Sequence, residues 1–104
     1  MDDSTYYELA EATMRALEHY CEELAAQHDW DLEATRNGNV LEIESLDNDS
    51  KMIINTQAAV HEIWLAARAG GYHFRHDGKV WRDTRDQVEL IERFTNLATQ
   101  QFAH

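Results

Sequence analysis

The chain has 104 residues, a net charge of −11, 43% hydrophobic residues, one cysteine and no proline. That length fits one domain with one core, and no apolar run reaches the roughly 18 residues that a membrane-spanning helix needs. So negative a field repels phosphate backbones and anionic lipid, which argues against nucleic acid and membrane partners, and the lone Cys21 makes no internal disulfide and fits a reducing, cytoplasmic setting.

The charge is unevenly placed. Residues 1–49 hold 14 Asp or Glu against two Arg, a net −12, whereas residues 50–104 hold six acids against seven Lys or Arg, a net +1. The first half therefore attracts cations, either metal ions or a basic protein surface. The N-terminus opens acidic, without a basic region followed by an apolar stretch, so no secretory leader is expected.

Residues 4–26 read as a helix, because Tyr6, Leu9, Ala10, Thr13, Leu17, Tyr20, Cys21 and Leu24 recur at three-and-four spacing. Asp3, Ser4 and Thr5 are cap candidates, and Thr5 with Glu8 fits a capping box. Glu11, Glu18 and Glu22 form one stripe on this helix, flanked by Glu8 and Glu23. Short β-type runs follow. Residues 31–36 and 39–46 flank the hairpin turn Asn37-Gly38. Asp29, Asp31 and Glu33 alternate and so face one way, with Leu32 and Ala34 on the other side. Glu42 and Glu44 likewise share one face, opposite Leu41 and Ile43.

Asp47-Asn48-Asp49 separates the second run from 51–55, and a longer run covers 60–67. Gly70-Gly71 breaks the chain before 72–76, and Asp77-Gly78 turns into 79–83. Such short connections predict antiparallel neighbours in a meander. Residues 85–102 read as a second helix with Val88, Ile91, Phe94, Ala98 and Phe102 in its apolar stripe, and Thr84 with Gln87 as a capping-box candidate. The expected fold class is α+β: a two-layer sandwich with both helices on one face of a single antiparallel sheet of five to six strands. The other sheet face is then open to water.

Within 60–67 the alternation puts Ile63 and Leu65 on one face and Glu62, Trp64 and Ala66 on the other. Glu62 marks the wet face, so Trp64 is expected on it too, unless a bulge turns the tryptophan inward. An exposed tryptophan is favoured as an interface anchor.

The aligned acids repel one another by a few tenths of a kcal/mol per close helical pair, and a surface needing only solubility would mix signs. They form either a solvated face or a carboxylate ridge for hard cations or a basic partner. Carboxylates suit iron in either oxidation state, manganese and calcium. With no EF-hand loop and no 2-His-1-carboxylate spacing, any such sites are expected to be weak, exposed and partly hydrated. His61-Glu62 begins like a zinc-protease motif, but position 65 is Leu, so the motif is absent. His19 and His28 lie near the ridge, as surface residues or as additional ligands. His73 and His76 read as structural or solvated, and Cys21 as a buried, inert thiol. No nucleophile motif and no glycine-rich phosphate loop occurs, so nothing argues for an enzyme.

The stretch "MIINTQAAVHEIWLAARAGGYHF" (52–74) resembles the central signature of the frataxins, in their bacterial branch. "STYYELA" (4–10), "NGNVLEI" (37–43) and "ATQQ" (98–101) resemble that family's first-helix opening, first hairpin and last-helix end. The resemblance is nearly full length and implies one frataxin-like domain over 1–104, with a role in iron–sulfur cluster assembly. It implies iron bound through the ridge at Glu18, Glu22, Asp29, Asp31 and Glu33, joined by Glu11 and Glu23. It implies binding to the cysteine desulfurase, and contact with the cluster scaffold, through Trp64, Asn55, Gln57, Glu18 and Glu22. The alternatives are an iron chaperone or storage protein that delivers ferrous iron, with ferroxidase activity and iron-driven oligomers of an otherwise monomeric chain, or an acidic adaptor without a metal role. The chain departs from the family at 56–59, Thr-Gln-Ala-Ala, where a basic residue and a proline are common.

Overall fold

The computed structural model describes residues 1–103. Helix α1 spans Asp3–His28 and is followed by strands β1 (Leu32–Asn37), β2 (Val40–Ser45), β3 (Lys51–Gln57), β4 (Glu62–Ala67), β5 (Gly70–His76) and β6 (Trp81–Asp83). Helix α2 spans Leu90–Phe102 and closes the chain. The strands form one six-stranded sheet in the order β1-β2-β3-β4-β5-β6, every pair antiparallel. The predicted α+β sandwich and its meander are what the structure shows.

The core lies between the sheet and the helices. Tyr6, Met14 and Leu17 of α1 and Phe94 and Phe102 of α2 meet Leu41, Ile43, Met52, Ile54, Ile63, Leu65 and Phe74 of the sheet. Each such side chain contributes about 1.5–3 kcal/mol when fully buried. The opposite sheet face has no helix on it.

Several boundaries move from their sequence positions, for local reasons. Asp2 caps α1, accepting 2.7 Å from the Thr5 amide, so the Thr5–Glu8 box is not used. The second helix begins at Leu90 rather than 85. Asp83 and Asp86 accept backbone N–H bonds from Arg85 and Val88, and Gln87 takes a left-handed φ of 67°. Such local bonds compete with helix, and Glu89 then caps α2 by accepting from Ile91 and Glu92. The turn before β5 is Arg68-Ala69, and Gly70 and Gly71 lie inside the strand. The fourth strand starts at Glu62, since Ala58–Val60 form a 3-10 turn ended by His61 at φ 54°. The last strand starts at Trp81 because Asp77 Oδ1 holds the Lys79 and Val80 amides in a turn.

Candidate functional site

Two neighbouring regions carry the residues singled out in the sequence. The first is the edge formed by α1 and β1, the outermost strand. Arg36 is decisive here. It shares its side of β1 with Leu32 and Ala34, facing the helix, and its guanidinium meets both Glu11 and Glu18, the latter at 3.2 Å. Those two carboxylates therefore share one positive charge, which offsets half of theirs. Glu22 lies further along α1 and shares a hollow of about 420 Å³ with Glu33, together with Cys21, Ala25, Leu32 and Ala34. Glu23 turns to His19, at 2.8 Å.

Asp29 does not lie on the strand. It is the C-cap of α1, in the left-handed region at φ 55°, with its amide bonded to Ala25. Asp31 lies just before β1, its amide donating to Asp47, and of the three only Glu33 stands in the strand. Glu33 stands opposite Glu44 in the register, and Thr35 opposite Glu42, so the open side of β1 and β2 is acidic. Among the described residues, no three His, Cys, Asp or Glu side chains come together as a ready-made metal cluster. The edge offers hard oxygen donors singly or in pairs, with water free to complete a coordination shell.

The second region lies on the open sheet face. β4 pairs with β3 and β5 without interruption from Glu62 to Ala66, so no bulge turns Trp64 inward. Trp64 stands half-buried on the open face beside Asn55, its cross-strand partner, and Gln57 lies opposite Glu62. The expectation of a wet Glu62 fails. Glu62 is on the open face but only 7% exposed. Its carboxylate accepts from Trp64 Nε1 at 2.7 Å and from Arg75 Nε at 2.7 Å, with His73 Nδ1 3.7 Å away. Burial opposes its charge, but the hydrogen bonds from Trp64 and Arg75 and the nearby positive charge outweigh that and hold its pKa below the usual value.

His73, set aside as structural or solvated, is part of this cluster. Its ring stacks on Trp64 with centroids 4.2 Å apart and planes 7° from parallel. The register could have found it, since His73 is the cross-strand neighbour of Trp64 in β5. Glu62 thus fixes the indole edge while His73 fixes its face. The result is an indole plate fixed at its edge and its face, with Ile53 and Ala66 on the same side of the sheet.

The remaining candidates resolve simply. His28 stacks on Trp30 at 4.3 Å, and His61 stacks on Tyr6 and contacts Asp3 at 2.7 Å. Cys21 is 3% exposed, and burial together with the nearby Glu22 charge pushes its thiol pKa up to about 11. It is therefore a neutral, unreactive core residue at physiological pH. Among the described residues no helix is long and apolar enough to cross a membrane.

The family described as frataxin-like domain matches residues 1–104. The chain belongs to the frataxin family. It is 46% identical over 101 residues to the iron-sulfur cluster assembly protein CyaY of Herminiimonas arsenicoxydans, covering 97% of this chain and 90% of that one. It is 48% identical over 101 residues to the CyaY of Dechloromonas aromatica (strain RCB), covering 97% and 92%. Among solved structures, the frataxin of Psychromonas ingrahamii superposes with a TM-score of 0.81 at 29% identity, covering 97% of this chain and 91% of that one. The trimeric frataxin of the yeast Saccharomyces cerevisiae, complexed with ferrous, shares the fold with a TM-score of 0.76 at 23% identity, covering 91% and 86%. In this frataxin, then, the acidic edge and the tryptophan plate sit on a family scaffold.

Proposed function

We propose that this frataxin is an iron-responsive accessory protein of iron–sulfur cluster assembly, working in the cytoplasm by binding rather than by catalysis. Iron is its cargo or signal, taken weakly by the carboxylates of the α1–β1 edge. The cysteine desulfurase is its partner, held through the open sheet face, and the effect is to modulate sulfur delivery to the scaffold. One observation carries this reading: Trp64 is held by Glu62 and His73 on a sheet face that no helix of the described residues covers, and the same face is acidic at β1 and β2. Aromatic anchors of this kind concentrate binding energy at interface centres, and charge at the rim steers encounter with an oppositely charged surface.

The residues divide the work. Glu22, Asp31 and Glu33 supply oxygen donors for a hard cation, with Asp29 and Glu23 nearby. Glu11 and Glu18 share the one positive charge of Arg36, which offsets half of their charge and occupies their oxygens, and they join the cation site when Arg36 moves away. Trp64, with Asn55 and Gln57 around it, makes the protein contact. Iron at the edge changes the charge beside the docking face, which is how the metal would tune partner affinity.

Trp64→Ala separates the two activities. Binding to purified cysteine desulfurase is expected to weaken about 30-fold or more, the loss of about 2 kcal/mol typical of an interface anchor. Iron binding, followed by an anaerobic ferrous titration, should be unchanged. Equal loss of both would contradict separate sites.

A further inference from the structure

The chain holds five asparagines, and they differ in how readily each can lose its side-chain amide. An asparagine becomes a carboxylate without any enzyme when the backbone nitrogen of the next residue attacks its Cγ. That attack needs a side chain free to turn, a following N–H that no hydrogen bond holds, and no bulk beside the attacking atom. Asn39 and Asn55 are followed by the β-branched Val40 and Thr56. Asn39 Nδ2 donates to the Thr56 carbonyl at 3.2 Å, and the Thr56 amide donates to the Asn39 carbonyl at 3.0 Å. Asn48 is tied through its side chain to Gln101 and Ser50, and the Asp49 amide after it donates to Ser45. Asn96 lies inside α2, where the next amide belongs to the helix ladder.

Asn37 meets all three conditions. It is exposed at the end of β1, an edge strand whose one neighbour is β2. Neither its side chain nor the Gly38 amide has a hydrogen bond among the described residues. Gly38 carries no side chain, and nothing stands within 4 Å of where a Cβ would be. Gly38 and Asn39 make the turn itself, and the end of a hairpin opens at lower cost than the interior of a sheet.

We infer that Asn37 is a site of spontaneous covalent modification, at which the side-chain amide is lost and a carboxylate joins the acidic edge. The Gly38 nitrogen bonds to Asn37 Cγ, the Cγ–Nδ2 bond breaks, and the Gly38 proton departs with the leaving ammonia. The product is a five-membered succinimide, which water then opens. Cleavage of the bond between Cγ and the Gly38 nitrogen gives aspartate. Cleavage between the Asn37 backbone carbonyl carbon and that nitrogen gives isoaspartate, in which the main chain runs through Cγ. Either product carries one new negative charge. Asn37 shares its side of β1 with Glu33 and Thr35, and Thr35 stands opposite Glu42, so the new carboxylate extends the acidic open side. Isoaspartate does more. Arg36 Nε donates to the Gly38 carbonyl at 2.7 Å while its guanidinium meets Glu11 and Glu18. An extra carbon in the chain before Gly38 displaces that carbonyl and loosens Arg36 from the two acids. The chemistry at Asn37 is independent of what the edge binds; its effect on a cation rests on the cation role proposed above.

The full-length protein, kept folded in mildly alkaline buffer and then digested for mass spectrometry, reads the site directly. Asn37 is expected to convert about tenfold faster than any of the other four asparagines. Isoaspartate among the products is detected by methyl transfer from S-adenosylmethionine with an isoaspartyl methyltransferase. Asn37→Gln should abolish the mass gain at this position, because a glutamine must close a six-membered ring. Conversion at Asn37 no faster than at Asn39, Asn48, Asn55 or Asn96 overturns the inference. Asn37→Asp reads the charge: calcium affinity by calorimetric titration should rise about twofold over the unmodified protein. An affinity that stays the same or falls overturns the link to the acidic edge. If the unmodified protein binds neither calcium nor ferrous iron, the cation role fails instead, and the digest still decides the modification.

Discussion

The acidic edge and the tryptophan plate are built in opposite ways. On the edge, carboxylates from α1 and β1 stand in water, and the two that have a strong partner share one arginine, Arg36. On the plate, one buried carboxylate, Glu62, organises Trp64 and Arg75 around itself. The edge is therefore redundant: any one acid changes the local field by a fraction. The plate depends on a single group whose removal leaves Trp64 and Arg75 without their common partner. A weak, exchangeable ion suits the first arrangement, and a specific protein contact suits the second.

The largest effect that would break this contrast is at Glu62. Glu62→Ala should cost about 2–3 kcal/mol of stability, the range for charge-assisted hydrogen bonds lost from a buried acceptor. It should also speed solvent exchange of the Trp64 indole N–H. Equilibrium urea unfolding and the indole proton resonance read the two changes. The pH dependence has a definite sign. The folded pKa of Glu62 lies below its unfolded value, so the ionised group adds stability above the unfolded pKa of roughly 4.3 and loses it as pH falls through the folded pKa. The advantage of the unmodified protein over Glu62→Gln should be full at pH 7 and shrink steadily below about pH 4. A difference that stays flat across that range would contradict the buried-carboxylate account.

The next effect is at Arg36. Arg36→Gln frees Glu11 and Glu18 and should raise the affinity of the edge for a divalent cation a few-fold, at a stability change within about 1 kcal/mol. Calorimetric titration with calcium and with anaerobic ferrous iron measures it; unchanged affinity would mean that those two acids lie outside the cation surface. The smallest effect is at a single edge acid. Glu22→Gln should leave stability within about 0.5 kcal/mol, since it relieves like-charge repulsion as much as it removes anything. A loss of several kcal/mol by thermal unfolding would make the edge structural.

These two regions were also unequally legible in the sequence. The meander could be read because Asn37-Gly38 and Asp77-Gly78 punctuate short alternating runs, and the helix stripes because their period is unmistakable. The edge was visible as a charge imbalance, since acids without nearby bases need no contact map. Arg36 was missed as the partner shared by Glu11 and Glu18, because that pairing depends on which face of β1 meets α1. The plate was half visible. Parity put Trp64 and Glu62 on one face, but parity cannot show that neighbours bury a glutamate there, or that β5 brings His73 onto the indole. The late start of α2 escaped because Asp83, Asp86 and Gln87 fold the chain into local turns that override its apolar period.

The most direct test of separate metal and protein surfaces is an anaerobic ferrous titration of isotope-labelled protein, followed by amide NMR. Selective broadening at Glu22, Asp31 and Glu33, with Trp64, His73 and α2 unaffected, is the predicted result. Broadening centred on the Trp64 cluster, or no selective broadening through several equivalents of iron, would contradict it.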